Sequence, residues 1–241
     1  MRGRYLRNLA PKRGSKLKVP EMSKKPGSKS KPTAPSNGVK KKRRTGSQAE
    51  RILNFWLTPG DGDKDGFQIL SRWFVADPDF DRYCKALFLD SYRDAACGRL
   101  DHWKKTPRTC LALALLLDQF PRNMFRGTAR AFATDAKARK ISRHAIASGF
   151  DRELPQTARM FFYLPFEHSE HLSDQMESVR LAGALADEFG EYPEGTAIRK
   201  SAQWHLDTIR RFGRFPGRNQ ALNRRSTKAE IEFLKQVNAE Y

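Results

Sequence analysis

Hydrophobic positions along the chain recur three and four residues apart, the spacing of one face of an α-helix. A run that starts at Asp77-Pro78 and ends near Gly98 shows it best, with Phe80, Tyr83, Cys84, Leu87, Phe88 and Ser91 on one face. A second run, Cys110 to Leu117, is apolar on every side, as in a helix buried at the centre of a domain. The pattern therefore predicts helices packed around this central run.

Capping residues predict where helices begin. Ser47 and Thr227 each stand three residues before a glutamate, which is the spacing of a capping box. The pairs Asp77-Pro78 and Thr106-Pro107 place a capping side chain before a proline at the first helical position. These positions predict four helix starts.

Prolines and a glycine predict where helices end. We expect Pro121 to stop the central helix and Pro165 to close a stretch opened by Pro155, because proline lacks the N–H that continues a helix. Gly149 predicts a left-handed stop for a helix that begins at Asp135.

Three further helices are expected in the C-terminal part. Ser169 is predicted to cap a long helix that ends at Phe189. Its inward stripe is predicted to be Leu172, Met176, Val179, Ala182 (or Gly183), and Leu185 or Ala186. The next helix is expected from about Glu194 to Phe212, and the last follows Thr227.

Strand signals are nearly absent, since no segment sustains a period-two alternation. The sequence predicts an all-α protein of about seven to nine helices with short connections, an arrangement typical of stacked antiparallel helix pairs. We expect one domain over residues 47–241, preceded by a tail over residues 1–46.

The tail is basic and poor in residues that could form a core. Residues 1–50 hold 16 lysines and arginines against two acids, which is +14 of the net charge of +19. Such a composition predicts disorder, because little apolar surface is available to offset the entropy of ordering. The densest run, Lys40 to Arg44, could attract phosphates without specificity.

Cysteine usage and hydropathy bear on the compartment. Cys84, Cys97 and Cys110 have neither zinc-knuckle spacing nor an even count, so we expect reduced thiols in a cytoplasmic protein. No run of 18 apolar residues exists, and we expect no membrane association.

Candidate chemistry concentrates in three polar and aromatic segments: Leu117 to Asn123, Pro165 to Glu170, and Arg211 to Asn219. The first and third each set Phe-Pro close before an Arg-Asn pair. The candidate ligand-binding residues are Asp118, Arg122, Asn123, Glu167, His168, Arg211, Arg214 and Arg218.

Two interpretations of these residues remain open. The arginines could form a structural network with Asp118 that joins helix ends, because buried carboxylates are normally paired. Alternatively they could keep donors for a carboxylate or phosphate, which an arginine fork fits well. The second interpretation predicts a domain that binds a partner protein or a small anionic ligand in a pocket formed by Arg, Glu and His side chains.

An enzyme is the second hypothesis. His168 or His205 could act as a general base beside Glu167 or Asp118, if one of these pairs lies within hydrogen-bond reach. The cluster Glu167, His168, Glu170, His171 and Asp174 could be considered for a metal, but Pro165 and Ser169 disturb its helical spacing. We therefore predict no metal and no cofactor.

Nucleic-acid binding is the third hypothesis. The segment Arg210 to Arg225 holds six arginines, two phenylalanines and no acid. Basic residues among aromatics suit single-stranded nucleic acid, and the basic tail could add non-specific attraction. The competing interpretation is that Phe212 and Phe215 pack in the core.

Several of these motifs resemble a bacterial family known as domain of unknown function 924. The resemblance runs from about residue 50 to 235 and rests on four segments: Leu116 to Asn123, Ala131 to Asp135, Phe162 to Glu170 and Arg211 to Pro216. It implies an all-helical, tetratricopeptide-like fold and no particular reaction. The chain departs from the family pattern at Gly217, where histidine is usual, and at Asn223 and Arg225, where glycine and an acid are usual.

Overall fold

The computed structural model describes residues 47–58, 73, 76–190 and 192–239. These residues form eight α-helices and three short 3-10 helices, with no strand among them. The α-helices are α1 Gln48–Leu57, α2 Pro78–Ala96, α3 Pro107–Met124, α4 Asp135–Ala147, α5 Gln156–Glu167, α6 Leu172–Phe189, α7 Pro193–Phe212 and α8 Lys228–Ala239. The 3-10 helices are Asp101–Lys105, Ala129–Phe132 and Pro216–Arg218. The all-α prediction is confirmed, whereas the predicted disordered tail lies outside the described residues.

Helix α3 forms the centre of the molecule, as its apolar run predicts. Every residue from Cys110 to Met124 is buried, and α3 contacts α1, α2, α4 and α5. Each leucine in such an environment contributes roughly 1.5–3 kcal/mol by leaving water. The polar residues near its C-terminal end, Asp118 and Arg122, are therefore held inside the protein and need partners there.

The predicted helix starts are present. Asp77 and Thr106 accept hydrogen bonds from backbone N–H groups of α2 and α3. Thr227 and Glu230 complete a capping box, with the Glu230 carboxylate 2.7 Å from the Thr227 nitrogen. Only half of the first box forms: Ser47 accepts the Glu50 N–H, but the Glu50 carboxylate binds Arg108 instead.

The prediction that Pro121 stops the central helix is wrong. Helix α3 continues to Met124, because a proline in the last turn removes only one backbone hydrogen bond. The carbonyl that would have accepted that bond belongs to Leu117, and the Thr134 hydroxyl donates to it at 2.6 Å. Pro165 likewise lies inside the last turn of α5, which continues to Glu167.

The predicted stripe of α6 is wrong in its first half. Leu172 and Met176 are 47% and 56% exposed, whereas Asp174, Gln175 and Ser178 are buried. The reason lies at the junction with α5, where the Gln175 amide donates to the carbonyls of Glu167 and Ser169 at 2.7 and 2.6 Å. Polar groups therefore face inward to bind the otherwise unpaired end of α5.

Ser169 does not cap α6, which begins at Leu172. Its hydroxyl accepts the N–H of His171 and donates to Asp174, so the serine orders the turn between α5 and α6. Gly149 does adopt a left-handed conformation after α4, as predicted, and Gly213 does the same after α7. The turn at Gly213 redirects the chain towards the 3-10 helix Pro216–Arg218.

Consecutive helices pack on each other from α2 to α7. As a result, the C-terminal ends of α3 and α5 and the 3-10 helix Pro216–Arg218 lie close together. No helix in the described parts of the chain is long and apolar enough to cross a membrane.

Candidate functional site

A cavity of about 160 Å³ lies where these helix ends meet. Its wall includes His168 from the end of α5, His205 from α7 and Arg218 from the 3-10 helix Pro216–Arg218. Aromatic side chains, among them Phe132 and Trp204, form much of the rest. The cavity thus combines ionisable groups with apolar walls, as ligand sites commonly do.

His168 is oriented by a buried carboxylate. Its Nδ1 lies 2.8 and 3.0 Å from the two oxygens of Asp118, which is fully buried near the end of α3. A carboxylate accepts hydrogen bonds, so Nδ1 carries the proton. Asp118 also accepts from the Gln119 amide at 2.6 Å and lies 3.2 Å from an Arg122 nitrogen.

His205 is oriented in a similar way by a different carboxylate. Its Nδ1 donates to the Ser201 carbonyl at 2.8 Å and lies 3.1 Å from a Glu167 oxygen. The Ser201 hydroxyl donates to the same Glu167 oxygen at 2.8 Å. Burial lowers the pKa of His205, although Glu167 acts in the opposite direction, so the ring is neutral at neutral pH.

The two imidazole rings face one cavity. Their centroids are 6.5 Å apart, and their planes are inclined at 70°. Each ring has its Nδ1 engaged by the protein and thereby a fixed orientation. Two histidines held in this way can exchange protons with one small molecule.

Arg122 is committed to the protein. Its terminal nitrogens donate to both oxygens of Asp135 at 2.8 and 2.9 Å and to the Asp118 carbonyl at 2.7 Å. Burial acts to lower the pKa of Arg122, but the two carboxylates outweigh it and the pKa is raised. Burial raises the pKa of Asp135 against the effect of Arg122.

Arg218 approaches the same carboxylate from the cavity wall. It donates to Asp135 at 3.4 Å and to the His168 carbonyl at 2.7 Å. Its guanidinium lies 4.6 Å from the ring centroids of both Phe132 and Phe215. Burial and the neighbouring Arg122 lower the pKa of Arg218 to about 10, so it remains a cation at neutral pH.

The structure brings five of the eight predicted site residues together. Asp118, Arg122, Glu167, His168 and Arg218 lie in or directly behind the cavity wall. The contacts also place His205 within hydrogen-bond reach of Glu167, as the enzyme hypothesis requires.

The other three predicted residues lie elsewhere. Asn123 donates to Asp81 of α2 at 2.8 Å. Arg211 is exposed, with its guanidinium 4.8 Å from the Phe212 ring. Arg214 binds the Glu230 carboxylate at 2.6 and 2.9 Å and thereby joins the turn after α7 to the start of α8.

Several site residues were not predicted. Asp135, the predicted first residue of a helix, directs its carboxylate to Arg122 and Arg218. Trp204 stands next to His205 in the sequence, an aromatic–histidine pair that could have drawn attention to this face of α7. Gly217 also lies in the cavity wall.

No group of three or more histidine, cysteine, aspartate or glutamate side chains within the described ranges is arranged to hold a metal ion.

The fold and the cavity define an all-helical protein with paired histidines and a cationic arginine at one internal site. The chain belongs to the bacterial family of proteins of unknown function called DUF924, which it matches over residues 52–238. A solved structure of a protein of unknown function from Agrobacterium tumefaciens is 38% identical. It aligns with a TM-score of 0.66 over 78% of this chain and 97% of that protein. A comparison with curated proteins found no match.

Proposed function

We propose that the cavity binds a small anionic molecule whose charged group contacts Arg218. The observation that carries this proposal is the position of Arg218, a cation in the cavity wall whose side chain is 14% exposed. Its two hydrogen bonds to described residues use Nη1 and Nη2 once each, whereas a guanidinium offers five N–H donors. Donor capacity therefore remains for a carboxylate or phosphate.

The surroundings of Arg218 support a ligand with a compact apolar body. Phe132 and Phe215 hold the guanidinium, and Trp204 and Phe233 extend the apolar wall. A cavity of about 160 Å³ is close to the roughly 150 Å³ that accommodates benzene in an engineered protein interior. The ligand would thus be an anionic group with a few carbon atoms.

Charges around the cavity are balanced locally, which affects the expected salt dependence. Arg122 and Arg218 share Asp118 and Asp135, while Arg126 at the rim binds Asp81. Binding would therefore depend on direct hydrogen bonds more than on a long-range positive field. We expect affinity to fall only weakly with ionic strength.

The proposal can be tested with Arg218→Gln and the control Arg210→Gln. Arg210 is exposed on α7, and its ion pair with Asp207, at 3.7 Å, is the one it makes within the described part of the chain. Calorimetry and thermal shift with phosphate, pyrophosphate and short carboxylates should give binding by wild type and R210Q. Loss of a charged hydrogen bond of about 1.5–3 kcal/mol should weaken binding to R218Q about 10- to 100-fold. Equal affinities for wild type and R218Q would refute the proposal.

The nucleic-acid hypothesis receives less support from the described residues. Within the segment Arg210 to Arg225, four arginines bind acidic residues: Arg210, Arg214, Arg218 and Arg224. Phe215 is buried and Phe212 packs against Phe233, so these rings are engaged within the protein. The basic tail lies outside the described residues, and its attraction for nucleic acid stays a prediction.

Two broader expectations also remain proposals. The packing of consecutive helices from α2 to α7 supports a tetratricopeptide-like arrangement of helix pairs. The three cysteines are reduced thiols, as expected of a protein from a reducing compartment such as the cytoplasm.

A further inference from the structure

We propose that the cavity is catalytic, and that His205 and His168 act as general base and general acid in the hydrolysis of a small phosphate monoester. This inference rests on the proposed binding of an anionic ligand beside Arg218 and assigns that ligand a chemical class. It is carried by the two imidazoles, which share a cavity but are oriented by different carboxylates.

His205 has the properties of the base. Its Nδ1 is 2.8 Å from the Ser201 carbonyl, which can only accept, so Nδ1 holds the proton and Nε2 holds a lone pair. Among the residues that the structure describes, Glu167 and Arg218 are the charged groups that act on this ring, and His168 lies across the cavity. Burial lowers the pKa of His205, which keeps the lone pair available at neutral pH.

His168 has the environment of the acid. The Asp118 carboxylate accepts from Nδ1 and can stabilise positive charge on the ring, while Gln119 and Arg122 hold that carboxylate in place. The cationic ring would carry its second proton on Nε2. The His168 carbonyl also accepts from Arg218 at 2.7 Å, so the acid and the proposed anion-binding cation are fixed to each other.

A phosphate ester fits this arrangement better than a simple carboxylate. Binding of a carboxylate would use Arg218 but neither histidine, whereas hydrolysis of a phosphate ester uses both a proton acceptor and a proton donor. Imidazole centroids 6.5 Å apart allow the two rings to contact different oxygens of one tetrahedral phosphate group. Arg218 can bind a non-bridging oxygen, since a guanidinium matches phosphate geometry.

The step requires water as the second reactant. Nε2 of His205 takes a proton from water as the water oxygen forms a bond to phosphorus. The ester P–O bond breaks, its electron pair leaves with the ester oxygen, and that oxygen takes a proton from Nε2 of His168. The products are an alcohol and inorganic phosphate, and proton exchange with solvent returns both histidines to their starting states.

The test uses the full chain and two substrates that differ in their leaving group. p-Nitrophenolate can leave without being protonated, because it is a stable anion. The alkoxide of glycerol 2-phosphate must be protonated as it leaves. His168→Gln should lower kcat about 10²- to 10⁴-fold on glycerol 2-phosphate but much less on p-nitrophenyl phosphate. His205→Gln should lower kcat on both esters. It should also remove the decline of kcat at low pH.

His144→Gln is the matched control. His144 is exposed and contacts the Lys104 carbonyl at 2.9 Å outside the cavity, so its replacement should leave both rates unchanged. The ratio of the two rates within each variant is independent of how much protein is folded. A partly misfolded His168→Gln variant therefore still gives a decisive answer. For His205→Gln, whose loss on both substrates leaves the ratio unchanged, the pH profile serves this purpose.

Calorimetry with inorganic phosphate separates this inference from the proposed binding function. Phosphate binding by wild type without hydrolysis of either ester would overturn catalysis and leave anion binding standing. Absence of phosphate binding, or equal losses on both esters in H168Q, would also overturn the catalytic assignment. A selective loss on glycerol 2-phosphate would support it, because a purely structural histidine would not distinguish leaving groups.

Discussion

The two Phe-Pro segments of this chain look alike in sequence and differ in structure. Phe120 to Asn123 lies inside the last turn of α3, where every residue is buried. Phe215 to Asn219 follows α7 and forms a 3-10 turn with Gly217 exposed. Despite this difference, both segments direct an arginine to Asp135.

The comparison shows that similar residues at one carboxylate can have separate roles. Arg122 makes short hydrogen bonds to Asp135 from inside the core, which makes it part of the architecture. Arg218 makes a 3.4 Å contact from the cavity wall, and in the proposed function its remaining donors bind the ligand. The paired asparagines diverge as well, since Asn123 binds Asp81 and Asn219 binds Ser226 and Arg224.

The largest expected effect comes from removing the buried arginine. Arg122→Ala leaves Asp118 and Asp135 without their buried cation and should destabilise the protein by about 3–5 kcal/mol. Arg218→Ala removes one long contact and one carbonyl hydrogen bond, and should cost about 1–2 kcal/mol. Urea unfolding measures both, with Arg210→Ala expected within about 0.5 kcal/mol of wild type. Equal losses for R122A and R218A would show that the two arginines have the same structural role.

A smaller loss of stability is expected when the Thr134 hydroxyl, which compensates for Pro121 within α3, is removed. Thr134→Val removes the hydroxyl that donates to the Leu117 carbonyl and leaves a buried acceptor unpaired. The expected cost is about 1–3 kcal/mol in the free energy of unfolding. Thr128→Val is the matched control, because Thr128 is exposed and water can replace its bond to the Phe125 carbonyl. Equal stabilities for the two variants would mean that Pro121 needs no such compensation.

The sequence was sufficient for much of the fold because helix signals are local. The caps at Asp77, Thr106 and Thr227 and the apolar run before Asp118 depend on neighbours within a few residues. The continuation of α3 past Pro121 was not predictable, since the hydroxyl that binds the Leu117 carbonyl belongs to Thr134, 17 positions after Leu117.

The candidate site was predictable in part for a similar reason. Asp118 and Arg122 follow the buried apolar run of α3, so the sequence predicts that they need polar partners. The structure provides these partners in His168 and Asp135. Which arginine pairs with which carboxylate is a tertiary matter, so Arg214 could not be separated from Arg218 by sequence. The polar inner face of α6 also escaped prediction, because Gln175 is buried to bind the end of another helix.

A pH-dependent effect on stability is expected at Arg214, which stands just before the second segment. Its hydrogen bonds to Glu230 hold the pKa of that carboxyl at about 2, and the Thr227 N–H acts in the same direction. Because the folded pKa lies below the unfolded value, the stabilisation is present above about pH 4.5 and is lost as the pH falls towards 2. Glu230→Gln has no charge to lose and should lack this part of the acid dependence.

Urea unfolding of wild type and E230Q between pH 7 and pH 2 measures this difference, which should shrink steadily below pH 4.5. Glu232→Gln is the control, because Glu232 is exposed and its ion pair with Lys235 is long, at 3.8 Å. The stability of E232Q should follow that of wild type at every pH. Parallel curves for wild type and E230Q would mean that Arg214 does not depress the pKa of Glu230.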